Sequence, residues 1–212
     1  MARDGEALVT ANGQNRGDTV HIDVIDRWGN MISATPSGGW LQSSPAIPEL
    51  GFQLNTRAQM FWLTDGLPTS MAPGRRPRTT LSPSFALKDG EPYLAFGTPG
   101  GDQQDQWSML FFLRHVEHGL NLQEAIDAPA FHTEHMPSSF YPRGANLGKV
   151  AVEGRIPAAT VTALKKRGHI VQVGDDWSEG RLSAAAAERT PDGTVLKAGA
   201  NPRGMQGYAI AR

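Results

Sequence analysis

Cysteine is absent from this 212-residue sequence, so disulfides, thiolate metal ligands and a cysteine nucleophile are all excluded. Covalent catalysis would therefore depend on a hydroxyl or an amine group. An excess of charge of either sign is also lacking, because 20 Lys and Arg residues stand against 21 Asp and Glu residues. This balance gives no electrostatic footprint for nucleic acid or for an anionic membrane surface, and neither is expected as a partner.

Long apolar runs are missing as well. No stretch approaches the roughly 18 residues that a membrane span requires. The first residues lack a charged start followed by an apolar core, so they do not form a secretion signal. The missing signal favours a cytoplasmic location, although a signal on an upstream segment would not be seen in this sequence.

Glycine and proline are abundant, with 24 and 15 residues, and hydrophobic residues make up 39% of the chain. Together they predict a strand-rich and loop-rich body with enough apolar side chains for a core. Residues 1–18 are polar and show no periodicity, which predicts a flexible lead-in. Residues 19–212 are predicted to form one domain.

Two β-hairpins are predicted from alternating, β-branched segments joined by turn residues. The first joins residues 19–26 to 31–35, and the second joins 84–87 to 93–96. Amphipathic patterns with caps and glycine stops predict helices at 107–116, 121–126 and 158–167. Further strands are expected at 170–173, 182–188 and 194–200. This order of elements predicts an α+β layered fold, in which helices cover the faces of sheets. The irregular stretch 37–77 is interpreted as part of a site and of an interface.

Thr19 begins the first predicted strand, directly after the polar lead-in. If the chain is cut before it, its α-amine becomes free, and an amine with a pKa of roughly 7.7 to 8.0 can accept the hydroxyl proton near neutral pH. Nucleophile and base would then belong to the same residue. An ordinary strand threonine fits the same local pattern.

Gly100 and Gly101 join the second hairpin to the predicted helix at 107–116. Adjacent glycines let backbone N–H groups approach a ligand, and a helix N-terminus adds partial positive charge. Such a loop can form an oxyanion hole. A plain strand-to-helix turn is the alternative, and Asp102 could simply cap the helix.

A carboxylate could be held by Thr79 and Thr80, which follow three arginines within residues 75–78. Arg57, in the irregular stretch, is a further candidate. A solvated basic loop explains the same residues. Histidine pairs occur at His115-x-x-His118 and at residues 132 and 135, but their spacing differs from His-Glu-x-x-His. Residue 132 is predicted in a loop flanked by prolines, so neither a metal nor a cofactor is expected.

Three separated motifs together resemble the small subunit of gamma-glutamyltransferases. They are TVHIDVIDRWGN at 19–30, RRPRTTLSP at 75–83 and GTPGG at 97–101, in the same order and approximate spacing as in that family. The likeness continues through 119–125, 128–132 and 201–203, nearly to the end of the chain.

The resemblance implies an αββα sandwich of the N-terminal-nucleophile (Ntn) hydrolase type. It also implies a precursor that cuts itself between Asp18 and Thr19. Residues 1–18 would then end the large-subunit region, and 19–212 would be the catalytic small subunit. Thr19 would attack a substrate amide and form an acyl-enzyme, which water or an amine resolves. A large subunit would be needed as the partner that completes the site.

The resemblance also assigns roles to other residues. Gly100 and Gly101 match the oxyanion-hole glycines. Ser37 stands where the family has a second threonine that supports the nucleophile. Thr79 and Thr80 replace paired serines that hold the substrate carboxylate.

Departures from the family pattern point to a different substrate. Gly39 replaces an asparagine that helps to fix the substrate, and Arg57 replaces a glutamine. Met60 replaces the aspartate that binds the glutamyl amino group. Arg57 instead favours an acyl group with a further anionic or carbonyl oxygen. The prediction is therefore an amidohydrolase for oxamate-like or other acyl amides. True gamma-glutamyl transfer and a non-catalytic docking subunit are the alternatives.

Overall fold

The computed structural model describes residues 8–9, 15–16, 19–37, 46–203 and 207–210. Asp18 and Gly39 lie outside the described residues. The strands are β1 Leu8–Val9, β2 Asn15–Arg16, β3 Ile22–Ile25, β4 Met31–Ala34, β5 Ala46–Ile47, β6 Phe52–Gln53, β7 Ser84–Lys88, β8 Glu91–Gly97, β9 Phe131–Thr133, β10 Lys149–Val152, β11 Ile170–Val173, β12 Ser183–Thr190 and β13 Gly193–Ala200. The α-helices are α1 Gln104–Val116, α2 Leu122–Asp127 and α3 Ala158–Lys166, and 3-10 helices span Arg57–Met60 and Gly101–Gln103.

The main sheet has four antiparallel strands in the order β13-β12-β8-β7. It is built from two hairpins, as the turn residues predict. Asp89 and Gly90 both have positive φ, 53° and 84°, which suits the tight turn between β7 and β8. In the centre of the sheet Ala185 pairs with Ala95, and small side chains there leave room for a second layer.

The predicted first hairpin, β3 with β4, forms that second layer and packs on β8 and β12. Ser33 Oγ donates to the Phe96 carbonyl at 3.1 Å, and Ser183 Oγ donates to Asp23 Oδ2 at 3.2 Å. Asp26 closes the hairpin turn by accepting from the backbone N–H of residues 28 and 30, both at 2.9 Å. The Asn30 side-chain hydrogen bond is the main reason that the pKa of Asp26 lies below its usual value.

Helices α1 and α2 cover the opposite face of the main sheet. The core between them consists of apolar side chains from both layers, namely Leu94, Phe96, Phe111, Leu122, Ala125, Ile126, Leu182, Ala184 and Ala186. The rings of Phe96 and Phe111 lie 5.4 Å apart. Helix α2 begins with a capping box, because Asn121 accepts from the Glu124 N–H and the Glu124 side chain accepts from the Asn121 N–H. The described chain therefore has an α/β/β arrangement of layers.

A second, three-stranded sheet has the order β11-β10-β9, with β10 and β11 parallel and joined through α3. Strands β9 and β10 were not predicted from the sequence, and the prediction that His132 lies in a loop was wrong, because it lies in β9. Each strand is only three or four residues long. Their pairing connects segments that are far apart in sequence, which local patterns do not reveal.

Several boundaries also differ from the prediction. Helix α1 begins at Gln104, three residues before the predicted start, because the chain already winds as a 3-10 helix from Gly101. The lead-in was predicted to lack structural elements, but a short ladder joins β1 to β2. The stretch 46–77 contains the β5-β6 ladder and one 3-10 helix. Within the described ranges, every helix is too short or too polar to reach across a lipid bilayer.

Candidate active site

Thr19, the predicted nucleophile, lies opposite Ser37 across an isolated antiparallel bridge. Its Oγ1 donates to Ser37 Oγ at 3.0 Å, and the Val20 N–H donates to the Pro36 carbonyl at 3.1 Å. Both hydroxyl side chains are only partly exposed. The start of the first hairpin therefore brings together two residues that are 18 positions apart, as the resemblance implied.

Arg57 joins this pair from the irregular stretch. It begins the 3-10 helix Arg57–Met60, and its Nη2 donates to Ser37 Oγ at 2.6 Å. The Ser37 oxygen thus accepts hydrogen bonds from both Thr19 and Arg57. These two hydrogen bonds occupy both of its lone pairs. A guanidinium at this distance also favours negative charge near the threonine hydroxyl. Thr19, Ser37 and Arg57 form a continuous row of polar contacts.

The predicted oxyanion loop follows β8. Gly100 and Gly101 have φ values of 134° and 61°, a region of backbone conformation that favours glycine. A Cβ at Gly100 would also overlap the Trp107 ring. Gly100 is the cap of the 3-10 turn, which begins at Gly101 and continues into α1, so the partial positive charge of the helix start lies at this loop.

A buried network beneath Thr19 was missed by the sequence analysis. His21 and Asp23 have side chains 1% and 3% exposed, and His21 Nε2 lies 2.9 Å from Asp23 Oδ2. His21 Nδ1 lies 2.7 Å from Thr35 Oγ1. The His21 ring occupies the space where Gly97 has no side chain, so the segment between Thr19 and β3 packs closely on the end of β8. The signal in the sequence was the alternation Thr-x-His-x-Asp, which places three polar residues on one face of a strand.

The predicted carboxylate-binding segment is fixed to the start of α1. The Ser82 N–H donates to Oε1 of Gln104, a fully buried side chain, at 3.3 Å. Thr80 is buried, whereas Thr79 is exposed and its Oγ1 accepts from the Leu81 N–H at 3.1 Å. The three arginines of residues 75–78 are exposed. That this segment holds a substrate carboxylate stays a prediction.

Two further expectations can be compared with the structure. Met60, which the resemblance matches to an amino-binding aspartate, is completely buried. The helix-cap interpretation of Asp102 was wrong. Its carboxylate accepts from Ser138 Oγ at 3.2 Å, from the Ser139 N–H at 2.9 Å and from Ser139 Oγ. Asp102 therefore attaches another loop to the predicted oxyanion loop.

Two of the histidines that were considered as metal ligands contact other side chains of the protein. His132 Nδ1 lies 2.5 Å from Glu179 Oε2, and His115 Nε2 lies 2.6 Å from the Tyr93 hydroxyl. Burial raises the pKa of Tyr93. Among the residues that the structure describes, no group of three or more His, Asp and Glu side chains could hold a metal ion.

Comparison with known proteins identifies the family of this chain. The Gamma-glutamyltranspeptidase family model matches residues 3–211. The oxamate amidohydrolase proenzyme of Klebsiella pneumoniae is 32% identical over 202 residues, which cover 94% of this chain and 37% of that protein. A glutathione hydrolase proenzyme of a Pseudomonas species is 34% identical over 133 residues, covering 58% of this chain and 23% of that protein. The chain thus spans between about a quarter and somewhat more than a third of these relatives.

Solved structures show the same relationship. A threonine-to-alanine variant of LmbA2991 is 61% identical, superimposes with a TM-score of 0.84, and is matched over 95% of this chain and 35% of its own. A cephalosporin acylase from Bacillus halodurans is 30% identical, with a TM-score of 0.70 and coverage of 86% of this chain and 32% of its own. The α+β Ntn-hydrolase fold predicted from the sequence is confirmed by these likenesses. The chain belongs to the gamma-glutamyltranspeptidase family.

Proposed function

We propose that this chain carries the catalytic residues of an Ntn amidohydrolase of the gamma-glutamyltranspeptidase family, with Thr19 as the nucleophile after cleavage of the Asp18–Thr19 bond. The observation that carries the proposal is the hydrogen bond from Thr19 Oγ1 to Ser37 Oγ at 3.0 Å, in the bridge that precedes β3. The relatives named as proenzymes support a precursor that is cut. Residues 1–18 then end the large-subunit region, and 19–212 form the small subunit.

The reaction starts when the free amine of Thr19 takes the proton from Oγ1, which attacks the amide carbonyl of the substrate. The carbonyl oxygen becomes an oxyanion, stabilised by the backbone N–H groups of Gly100 and Gly101. Collapse of the tetrahedral intermediate breaks the C–N bond, and the departing amine takes the proton from the Thr19 ammonium. An ester on Thr19 remains. Water or an amine then attacks this ester and regenerates the threonine.

The acyl donor is an amide with a second anionic or carbonyl oxygen near the reacting carbonyl. Arg57 supplies a cation beside the nucleophile, and the buried Met60 leaves no carboxylate at that position for a substrate ammonium. The oxamate amidohydrolase relative makes oxamate the first substrate to test. Gamma-glutamyl hydrolysis or transfer is the second candidate, because another relative is named a glutathione hydrolase.

The remainder of the proenzyme is the proposed partner. The outer face of the first hairpin exposes Val20, Ile22, Val24 and Ile32, each between 45% and 59%. Four apolar side chains on one uncovered face are typical of a buried interface. A subunit that only docks a partner through this face, without catalysis, is the remaining alternative.

The test uses the full-length proenzyme and its Thr19→Ala variant. Mass spectrometry of the wild type should give a fragment that starts at Thr19, and the variant should stay uncut and inactive. Thr160→Ala, on an exposed position of α3, is the matched control and should be cut normally. A Thr19→Ala protein that is still cut and active would disprove the assignment.

Two substrates separate the candidate activities. Oxamate hydrolysis without hydrolysis of gamma-glutamyl-p-nitroanilide supports the amidohydrolase. Turnover of the anilide that a dipeptide acceptor stimulates would instead establish the transpeptidase.

A further inference from the structure

Arg143 makes an unusual set of contacts in the loop formed by residues 138–144, here named the clamp loop. Its φ of 63° is uncommon for a residue with a side chain. Its Nη1 donates to the Ser139 carbonyl at 2.7 Å, and its Nη2 donates to the carbonyls of Gln59 at 3.0 Å and Phe61 at 2.7 Å. The guanidinium also lies 4.6 Å from the centre of the Trp62 ring.

The hydrogen bonds that the structure describes for the Arg143 guanidinium go to backbone carbonyl groups and not to carboxylates. Among the described residues, Arg143 forms no ion pair with a carboxylate, and its partners are carbonyl groups and an aromatic ring. The planar guanidinium presents several donors in fixed directions, so it can fix two segments relative to each other. One of the segments is the turn that contains Gln59 and Phe61, which is the turn that carries Arg57.

The other end of the clamp loop is attached to the oxyanion loop. Ser139 is 1% exposed, and both its N–H and its hydroxyl donate to the carboxylate of Asp102. Ser138 Oγ donates to the same carboxylate at 3.2 Å. Asp102 directly follows Gly101. A single short loop is therefore bonded to the oxyanion loop on one side and to the Arg57 turn on the other.

We propose that Arg143 is a positioning residue that fixes the distance between Arg57 and the peptides of Gly100 and Gly101. This proposal rests on the function proposed above. In that reaction the acyl carbonyl lies at the glycines, and the second oxygen of the acyl group binds Arg57. A fixed span between the two sites selects acyl donors by the distance between their reacting carbonyl and that second oxygen.

The first measurement is steady-state kinetics on the processed full-length enzyme with oxamate. Arg143→Ala is expected to raise KM about tenfold or more with a smaller loss in kcat, because the Arg57 turn shifts while the bridge between Thr19 and Ser37 stays in place. Arg143→Lys keeps the charge but not the planar set of donors, and it should give an intermediate effect. Arg189→Ala is the matched control, since Arg189 forms an exposed ion pair with Glu91 at 2.7 Å.

A double-mutant cycle with Arg57→Ala tests whether Arg143 acts through Arg57. Once Arg57 is removed, Arg143→Ala should change kcat/KM by much less than it does alone. Additive losses would overturn the proposal, because they are expected if Arg143 only stabilises the fold. Should Arg143→Ala fail to fold, the same cycle is made with Arg143→Lys.

Hydrogen exchange followed by mass spectrometry gives a readout that needs no substrate. Arg143→Ala, or Arg143→Lys if needed, should speed exchange in peptides that cover 57–62 and the clamp loop, but not in the β7-β8 hairpin. Unchanged exchange at 57–62 would overturn the clamp. A wild-type enzyme that is cut at Thr19 but does not hydrolyse oxamate would refute the proposed substrate, and hydrogen exchange would still decide the role of Arg143.

Discussion

Gly100 shows how strongly one residue can be constrained by a predicted catalytic loop. Its φ of 134° disfavours any side chain, and a Cβ would also overlap the Trp107 ring. The two constraints have separate physical origins, since one is the local backbone and the other is the packing of α1 against the loop. A change at this position therefore has to move either the backbone or the helix.

Gly100→Ala is expected to abolish most of the amidase activity. A shift of the backbone takes an N–H donor away from the oxyanion, and the loss of one such donor typically costs about a hundredfold or more in kcat. Gly168→Ala is the matched control, because Gly168 also has a positive φ, 92°, but nothing lies within 4 Å of the added Cβ. Both variants should lower the thermal midpoint, and only Gly100→Ala should lower kcat. Equal kcat values in the two would contradict the oxyanion role.

Some residues of the candidate site were predicted from the sequence, and others were not. Thr19 was singled out by its place at the start of a predicted strand and by the family resemblance, and Ser37 by the resemblance alone; the structure brings the two within hydrogen-bond distance. His21 and Asp23 follow Thr19 on the same segment, yet alternation alone does not distinguish a buried His–Asp contact from surface polar residues. Their burial results from the packing of the first hairpin on β8 and β12.

At the scale of elements, segments with strong local signals were predicted well. Both hairpins of the main sheet have turn residues with positive φ, and α2 has a capping box that the sequence displays. Strands β9 and β10 lack such signals. They are defined by pairing with each other across the clamp loop, so only the tertiary structure reveals them.

The ends of β9 and β10 are joined by an ion pair that should make stability depend on pH. Lys149 Nζ lies 2.8 Å from Glu134 Oε2. Burial raises the pKa of Glu134, but the hydrogen bond and the charge of Lys149 outweigh it, so the pKa lies below the usual 4.5. A lowered folded-state pKa means that the stabilisation is complete above 4.5 and is lost as the pH falls through the folded-state value.

Lys149→Met is therefore expected to lower the thermal midpoint of the processed enzyme at neutral pH. The difference from the wild type should shrink once the pH falls below 4.5 and disappear below the folded-state pKa of Glu134. Lys165→Met, at an exposed position of α3, is the control and should show no such pH dependence. A difference that grows on acidification would contradict the assigned ion pair.

At the scale of the whole molecule, the described layers leave one face of the sandwich uncovered. Helices cover the main sheet on one side and the hairpin covers it on the other, but the outer face of the hairpin is apolar and exposed. The resemblance predicted a partner subunit, and the relatives are about three to four times as long as the matched region. The sequence does not reveal the atoms of the partner that would cover this face, because the contacts of an interface depend on both surfaces.

Ile32→Asp tests whether the large subunit covers this face. Ile32 is 55% exposed on the outer face of β4, and a carboxylate there would lose its hydration on assembly without gaining a partner. In the full-length proenzyme we expect less of the cut large subunit to co-purify with the small one. Leu147→Asp is the matched control, because Leu147 is 68% exposed in the loop before β10, away from the hairpin. Unchanged recovery of the large subunit with Ile32→Asp, measured by size-exclusion chromatography, would show that the partner binds elsewhere. A loss confined to Ile32→Asp would identify the outer face of the hairpin as the subunit interface.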